Sequence, residues 1–169
     1  MDGTLLETDV LAEGMKALAR RPLAFASALP ALVLGGRPPF KRRIASLATL
    51  EIESLPVRTD LLDWLRDEKA SGRTLWLATA ADRLTAEKVA ARIGLFDGVL
   101  ASDGATNLKS HAKRRALVHR FPEGFAYAGD SAADLPVWAG AKSIVIVHAR
   151  PAVAARAQRL GPPVERVFG

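Results

Sequence analysis

From residue 61 onward the chain alternates continuous apolar runs with stretches whose apolar positions recur at helical spacing. Leu61, Leu62, Trp64 and Leu65 share one helical face, and Ser71-Gly72 closes that segment. The run at 74–79, Thr-Leu-Trp-Leu-Ala-Thr, has no polar alternation, as expected for a strand covered on both faces. A helix over 81–93, stopped by Gly94, a short strand at 98–101 and a helix over about 110–120 follow. The pattern then predicts a strand at 125–128, a helix over 132–140, a last strand at 143–147 and a final helix over 151–160. Pro151 suits the first turn of that helix, where its missing N–H has no partner to lose. Strand and helix in strict succession predict an α/β fold with a parallel sheet and helices on both faces.

Ahead of this region, residues 8–55 read as mostly helical. Leu11, Met15 and Leu18 make one apolar face, and Ile44, Leu47, Ala48 and Leu50 part of another. The longest apolar passage, 22–36, is broken by Pro30 and falls short of the roughly twenty residues that span a bilayer. A helical packing face is the preferred reading. Arg20-Arg21, Arg37 and Lys41-Arg42-Arg43 flank the passage, so a seat at a membrane interface is the alternative.

Composition narrows the chemistry. The 169 residues, 49% apolar, suffice for one sizeable core, and with no cysteine neither disulfides nor thiolate metal sites are available. Against 18 acidic residues there are 24 lysines and arginines, a net charge of +6, but they are scattered and lack aromatic interleaving. Nucleic acid is therefore not expected as a partner. The opening Met1-Asp2-Gly3-Thr4 has neither the basic start nor the apolar stretch of a secretion signal.

Parallel α/β sheets bind ligands beyond the carboxyl ends of their strands, and the polar residues here gather at those ends. Thr79 follows one apolar run, Ser102-Asp103 the next, and Asp130 the third. In Gly129-Asp130-Ser131-Ala132-Ala133-Asp134 two carboxylates reach one turn where a helix begins, a layout suited to a divalent cation. Capping of that helix by Asp130 is the plainer alternative. Lys113 lies in a first helical turn, where the helix dipole disfavours a cation, so a functional role in the same pocket is favoured; Lys109 competes for it. Asp82 reads as a helix cap and Asp103 as a turn former, while His111, His119 and His148 lack ligand spacing.

These residues carry a resemblance. Asp2-Gly3-Thr4-Leu5 resembles the right-hand part of the Asp-x-Asp-Gly-Thr signature of the haloacid dehalogenase (HAD) superfamily. Thr79, Lys113 within AKRRAL, and GDSAAD resemble its second, third and fourth motifs in the proper order. The resemblance implies a three-layer α/β/α Rossmann-like core of residues 1–7 and 56–169, with 8–55 as a small helical cap. It implies a Mg²⁺-dependent phosphatase or phosphotransferase acting on a small or lipid-linked phosphate. Asp2 would be the general acid and base and lend its backbone carbonyl to Mg²⁺; Thr79, Ala80 and Lys113 would hold the phosphoryl oxygens; Asp130 would be the principal metal ligand and Asp134, through water, the second. Met1 occupies the middle of the signature, so the nucleophilic aspartate and the central strand leading to it would precede the chain. The expectation is a truncated sequence without normal turnover as written.

The segments LLETDVL, LATAADR, SDGATNLK and YAGDSAADLPVW are similar, more closely, to the soluble amino-terminal domain of certain bacterial UbiA-type prenyltransferases. That likeness implies a cytoplasmic domain at the inner face of a membrane, and it opens a second function class, a non-catalytic docking or regulatory module.

Overall fold

In the computed structural model the described residues are 1–19, 22–28, 30, 37–47, 51–103 and 105–169. They divide into two compact units, residues 1–58 with 62–108, and residues 59–61 with 109–169. The fold is α/β and its strand pairs are parallel, as the alternation predicts.

The first unit opens with helices α1 (Val10–Ala19), α2 (Pro22–Ala26) and α3 (Arg37–Leu47) and a 3-10 turn at Ile52–Ser54. Leu18, Ala28, Phe40 and Ile44 are buried together, with Leu11, Met15, Ala24 and Leu47 packed against them. The two predicted helical faces thus meet. Burying side chains the size of Leu18, Phe40 and Ile44 contributes roughly 1.5–3 kcal/mol each, enough to hold short helices that would not persist alone. Ala48 and Leu50, Arg20-Arg21 and residues 31–36 of the apolar passage lie outside the described residues. Among those described, no helix is long and apolar enough to cross a membrane.

Helix α4 (Thr59–Ala70) precedes strand β1 (Trp76–Asp82), helix α5 (Arg83–Ile93) and strand β2 (Gly98–Ser102), which pairs with β1. Arg92 on α5 donates to the carbonyls of Ile52 and Leu55 at 2.7 and 2.8 Å, fastening the 3-10 turn. Gly98 is required by packing: a Cβ there would lie 2.5 Å from the Trp76 ring. Strand β1 extends to Asp82, so α5 starts at Arg83 rather than at the expected residue 81. Asp82 fixes that boundary as N-cap, its carboxylate accepting the Leu84 N–H at 3.0 Å.

The second unit contains α6 (His111–Arg120), β3 (Ala126–Gly129), a 3-10 turn (Ala132–Asp134), the single turn α7 (Leu135–Trp138), β4 (Ser143–Val147), α8 (Pro151–Gln158) and β5 (Val164–Phe168). Its sheet runs β3-β4-β5. The central strand explains its own sequence: Ile144, Val145, Ile146 and Val147 are all buried. Two expectations need correction here. The helix expected over 132–140 is a 3-10 turn followed by one α-turn. Strand β5 was not expected: in Val-Glu-Arg-Val-Phe only Phe168 is buried, so an edge strand leaves no continuous apolar run to read.

Candidate functional site

In the first unit Asp2 begins a tight turn. The Met1 carbonyl accepts from the amides of Leu5 and Leu6, both at 2.9 Å, and Arg58 Nε donates to the Gly3 carbonyl at 3.1 Å. Gly3 has φ +72°, a conformation glycine takes without strain, so the turn itself calls for glycine at this position. Asp2 Oδ1 accepts the Val10 N–H at 3.1 Å, tying the turn to the start of α1. Burial raises the Asp2 pKa above the ordinary carboxylate value, a push that the amino-terminal charge, the Val10 hydrogen bond and, least, the Lys41 charge only partly offset.

Thr79, 2% exposed, stands in an irregularity of the β1–β2 ladder. Ala78 pairs with Leu100 and Asp82 with Ser102, so Thr79, Ala80 and Ala81 are set against Ala101 alone. The bulge turns the strand end: Thr79 Oγ1 accepts from the Ala81 amide at 3.0 Å, and Ser102 Oγ donates to the Ala80 carbonyl at 2.9 Å. Helix α3 reaches the same place. Lys41 Nζ donates to the Ala80 carbonyl at 2.7 Å and to Asn107 Oδ1 at 3.3 Å, and Arg42 lies 3.4 Å from Asp82 Oδ1. Asp82 Oδ2 is buried without a hydrogen-bond partner. Asp103 forms the expected turn, accepting from the amides of Ala105 and Thr106.

The second unit builds a closed chain of hydrogen bonds. Lys113, buried in the first turn of α6, donates to the Tyr127 hydroxyl at 2.8 Å, which donates to Asp134 Oδ1 at 2.9 Å. The Lys113 ammonium lies 3.7 Å from the same carboxylate oxygen and 5.4 Å from the centre of the Tyr127 ring. Asp134 Oδ2 accepts from the Ser131 amide and hydroxyl, both at 3.1 Å, and from the Asp130 amide at 3.3 Å. Ser131 and Asp134 thereby form a capping box, so Ser131 rather than Asp130 caps the turn. Gly129 admits this fold-back, since a Cβ there would sit 2.9 Å from the Asp134 Cβ. Burial pushes the Asp134 pKa up, but Lys113, the Tyr127 hydroxyl and the Ser131 amide outweigh it and hold the group below its ordinary value. Burial and then the Asp134 charge drive Tyr127 well above 10.

The structure therefore places Asp2, Thr79 and Ala80 in the first unit and Lys113, Asp130 and Asp134 in the second. Lys109 is exposed where Lys113 is buried. Among the described residues no three histidine or acidic side chains gather as a preformed metal cage. Asp130 carries a carboxylate, the donor type Mg²⁺ takes, and both oxygens of Asp134 accept hydrogen bonds. The donor chemistry fits Mg²⁺.

Three contributors escaped the sequence reading: Tyr127, whose hydroxyl was hidden in an apolar run, and Lys41 and Arg42, which read only as basic flanks of the apolar passage. A basic pair beside apolar Phe40 and Ile44 on one helix was the available signal.

No family model matches the chain. An uncharacterised protein of Sinorhizobium fredii, y4nM, is 41% identical over 148 residues; the match covers 87% of this chain but 28% of that relative, so the chain spans under a third of its length. Among solved structures, a Bordetella pertussis protein of unknown function superposes with a TM-score of 0.69 at 16% identity, covering 100% of this chain and 95% of the other. Phosphoserine phosphatase in its apo form gives 0.65 at 14%, over 99% and 89%. A HAD family hydrolase from Salmonella enterica gives 0.65 at 16%, over 99% and 65%. The chain has the HAD hydrolase fold. Within that fold the bulged end of β1 and the Asp130–Asp134 turn after β3 lie at strand carboxyl ends, where such sheets place their ligands.

Proposed function

We propose that this chain is the phosphoryl-binding domain of a Mg²⁺-dependent HAD-type phosphatase or phosphotransferase that acts on a phosphorylated small molecule. Thr79, the Ala80 amide and Lys113 bind the phosphoryl oxygens. Asp2, whose raised pKa favours the protonated form, gives its proton to the departing oxygen. The Asp2 backbone carbonyl and the Asp130 carboxylate would hold Mg²⁺, which supplies charge neutralisation when bound, and Asp134 contributes through water while fixing the turn that presents Asp130. The covalent step is assigned to no residue of this chain. Residues 8–55 serve in this reading as the cap over the substrate.

The observation that carries the reading is Lys113, an ammonium buried to 8% exposure and steered by Tyr127 and Asp134. Burying an ion pair seldom gains stability over an apolar pair, so its retention in a fold shared with phosphatases favours an anion-binding role. Calorimetric titration with inorganic phosphate in the presence of Mg²⁺ tests it. Thr79→Val and Lys113→Met should each weaken binding at least about tenfold, a loss of about 1.4 kcal/mol, with unchanged circular dichroism. Wild-type affinity in both variants would end the reading.

The length of the Sinorhizobium relative favours a second reading, in which the chain is one module of a larger protein. In it a docking or regulatory domain, attached to a membrane prenyltransferase at the cytoplasmic face and facing lipid-linked phosphates, keeps phosphate affinity without turnover. Hydrolysis of phosphate monoesters by the full-length protein decides against it.

A further inference from the structure

Basic residues are scattered along the chain, but around helix α6 the acidic ones are missing. Residues 109–120 hold Lys109, Lys113, Arg114, Arg115 and Arg120, and no acidic residue occurs between 104 and 122. Of the 24 lysines and arginines, 24 less these 5 leaves 19 against 18 acidic residues, so the net charge of +6 arises almost wholly here. Helical spacing sorts the segment. Lys113 and Leu117 are buried, whereas His111, Arg114, Arg115, Val118 and His119 are exposed on the other side. Val118, 46% exposed, stands one turn after Arg114 and Arg115, so a basic pair flanks an uncovered apolar side chain. Local energetics do not favour this arrangement. The first turn of α6 has no acidic residue, Ser110 makes no side-chain cap hydrogen bond, and its φ of +52° is costly for a residue with a side chain. Lys113 and Arg114 lie near the helix start, where the dipole repels cations, and the helix carries no acidic neighbour three or four positions away to offset them.

The geometry points to the exposed face of α6 as a docking surface for an acidic, amphipathic protein segment, whose carboxylates meet Arg114 and Arg115 and whose apolar side covers Val118. Arginine presents two parallel N–H groups to one carboxylate, and it is enriched in protein interfaces where lysine is depleted. Both cations beside Val118 are arginines. Val118 also separates a protein partner from other anions: a phosphate backbone or a layer of lipid head groups leaves it uncovered, whereas the apolar stripe of an acidic helix buries it. The apolar side of α6 is turned into its own unit through Leu117, so the helix has no apolar face to lay into a bilayer. Lys113 points inward to Tyr127 and Asp134, so docking uses the other side of the helix and does not depend on phosphoryl binding.

The probe is a fluorescent helical peptide of about fifteen residues, built of Glu and Ala with Leu at helical spacing, compared with the same peptide carrying Gln for Glu. By anisotropy at about 0.15 M salt, the protein should bind the Glu peptide at least about tenfold more tightly than the Gln peptide. Arg114→Glu combined with Arg115→Glu should weaken the Glu peptide at least about tenfold, and Val118→Ser about threefold. The double variant should keep or raise the thermal midpoint, because acidic residues suit a helix start, so unfolding does not account for its loss. Arg156→Glu combined with Arg159→Glu makes the same charge change around the end of α8 and should leave affinity within about twofold. An equal loss in that variant would reduce the effect to net charge, and wild-type affinity in the α6 variant would remove this face from the contact. Tighter binding of phosphatidylserine vesicles or of a DNA duplex than of the Glu peptide would assign the face to a different partner. Each of these results overturns the proposal, as does a wild type that does not bind the Glu peptide.

Discussion

The two strand ends that carry the polar residues are built on different principles. In the second unit, Lys113, Tyr127, Asp134 and Ser131 satisfy one another in a buried chain, and the side chains hold their own positions. In the first unit the end of β1 is held largely through its backbone: Ser102 and Lys41 grip the Ala80 carbonyl, and Thr79 spends its hydroxyl on the Ala81 amide. The second cluster is a preorganised side-chain network whose members depend on each other; the first is a bent loop clamped by helix α3. Substitutions in the second should therefore cost stability, and those in the first should be milder.

Asp134→Ala should have the largest effect. It strands the Lys113 ammonium in a buried site and removes the acceptor of four donors, which predicts a loss of about 3–5 kcal/mol in urea unfolding. If the loss were under about 1 kcal/mol, the network would not be the organising element of that turn. The same carboxylate sets an acid limit. Its folded pKa lies below the ordinary 3.8, so its contribution is complete above that value and is lost as pH falls below it through the folded pKa. Wild-type stability should drop over that range, and Asp134→Asn should flatten that part of the profile.

Tyr127→Phe is milder. It deletes one hydroxyl that both accepts and donates, while the ring still packs and Lys113 remains 3.7 Å from Asp134. A loss of about 1–3 kcal/mol is expected, with a further weakening of phosphate binding because the ammonium is no longer steered. Unchanged phosphate affinity would show that Asp134 alone positions Lys113.

These contrasts also mark what could be read in advance. Strand β4 announces itself because Ile144 to Val147 are apolar and all buried, and β1 does so through the apolar run that leads to Thr79. Strand β5 does not, since an edge strand exposing Val164 and Val167 beside Glu165 and Arg166 has no pattern to separate it from a loop. The candidate residues at strand ends were legible because carboxylates and threonine after an apolar run have few other uses. Their partners were not. Nothing local shows that the Tyr127 hydroxyl points inward, and Lys41 meets Ala80 across 39 positions, a contact that exists only once α3 has packed. Short-range chemistry was visible in the sequence, and long-range clamping was not.

The smallest expected effect lies in the first unit. Asp82→Ala removes the N-cap of α5 and the Arg42 contact, but it also removes the buried Oδ2 that has no hydrogen-bond partner. Losing a cap costs about 0.5–2 kcal/mol, and deleting an unsatisfied buried acceptor returns part of that, so the net loss should be about 1 kcal/mol or less. Asp82→Asn retains the Oδ1 cap and should cost less still. A loss as large as that of Asp134→Ala would mean that the end of β1 is, like its counterpart, held by its side chains, and the distinction between the two strand ends would fall.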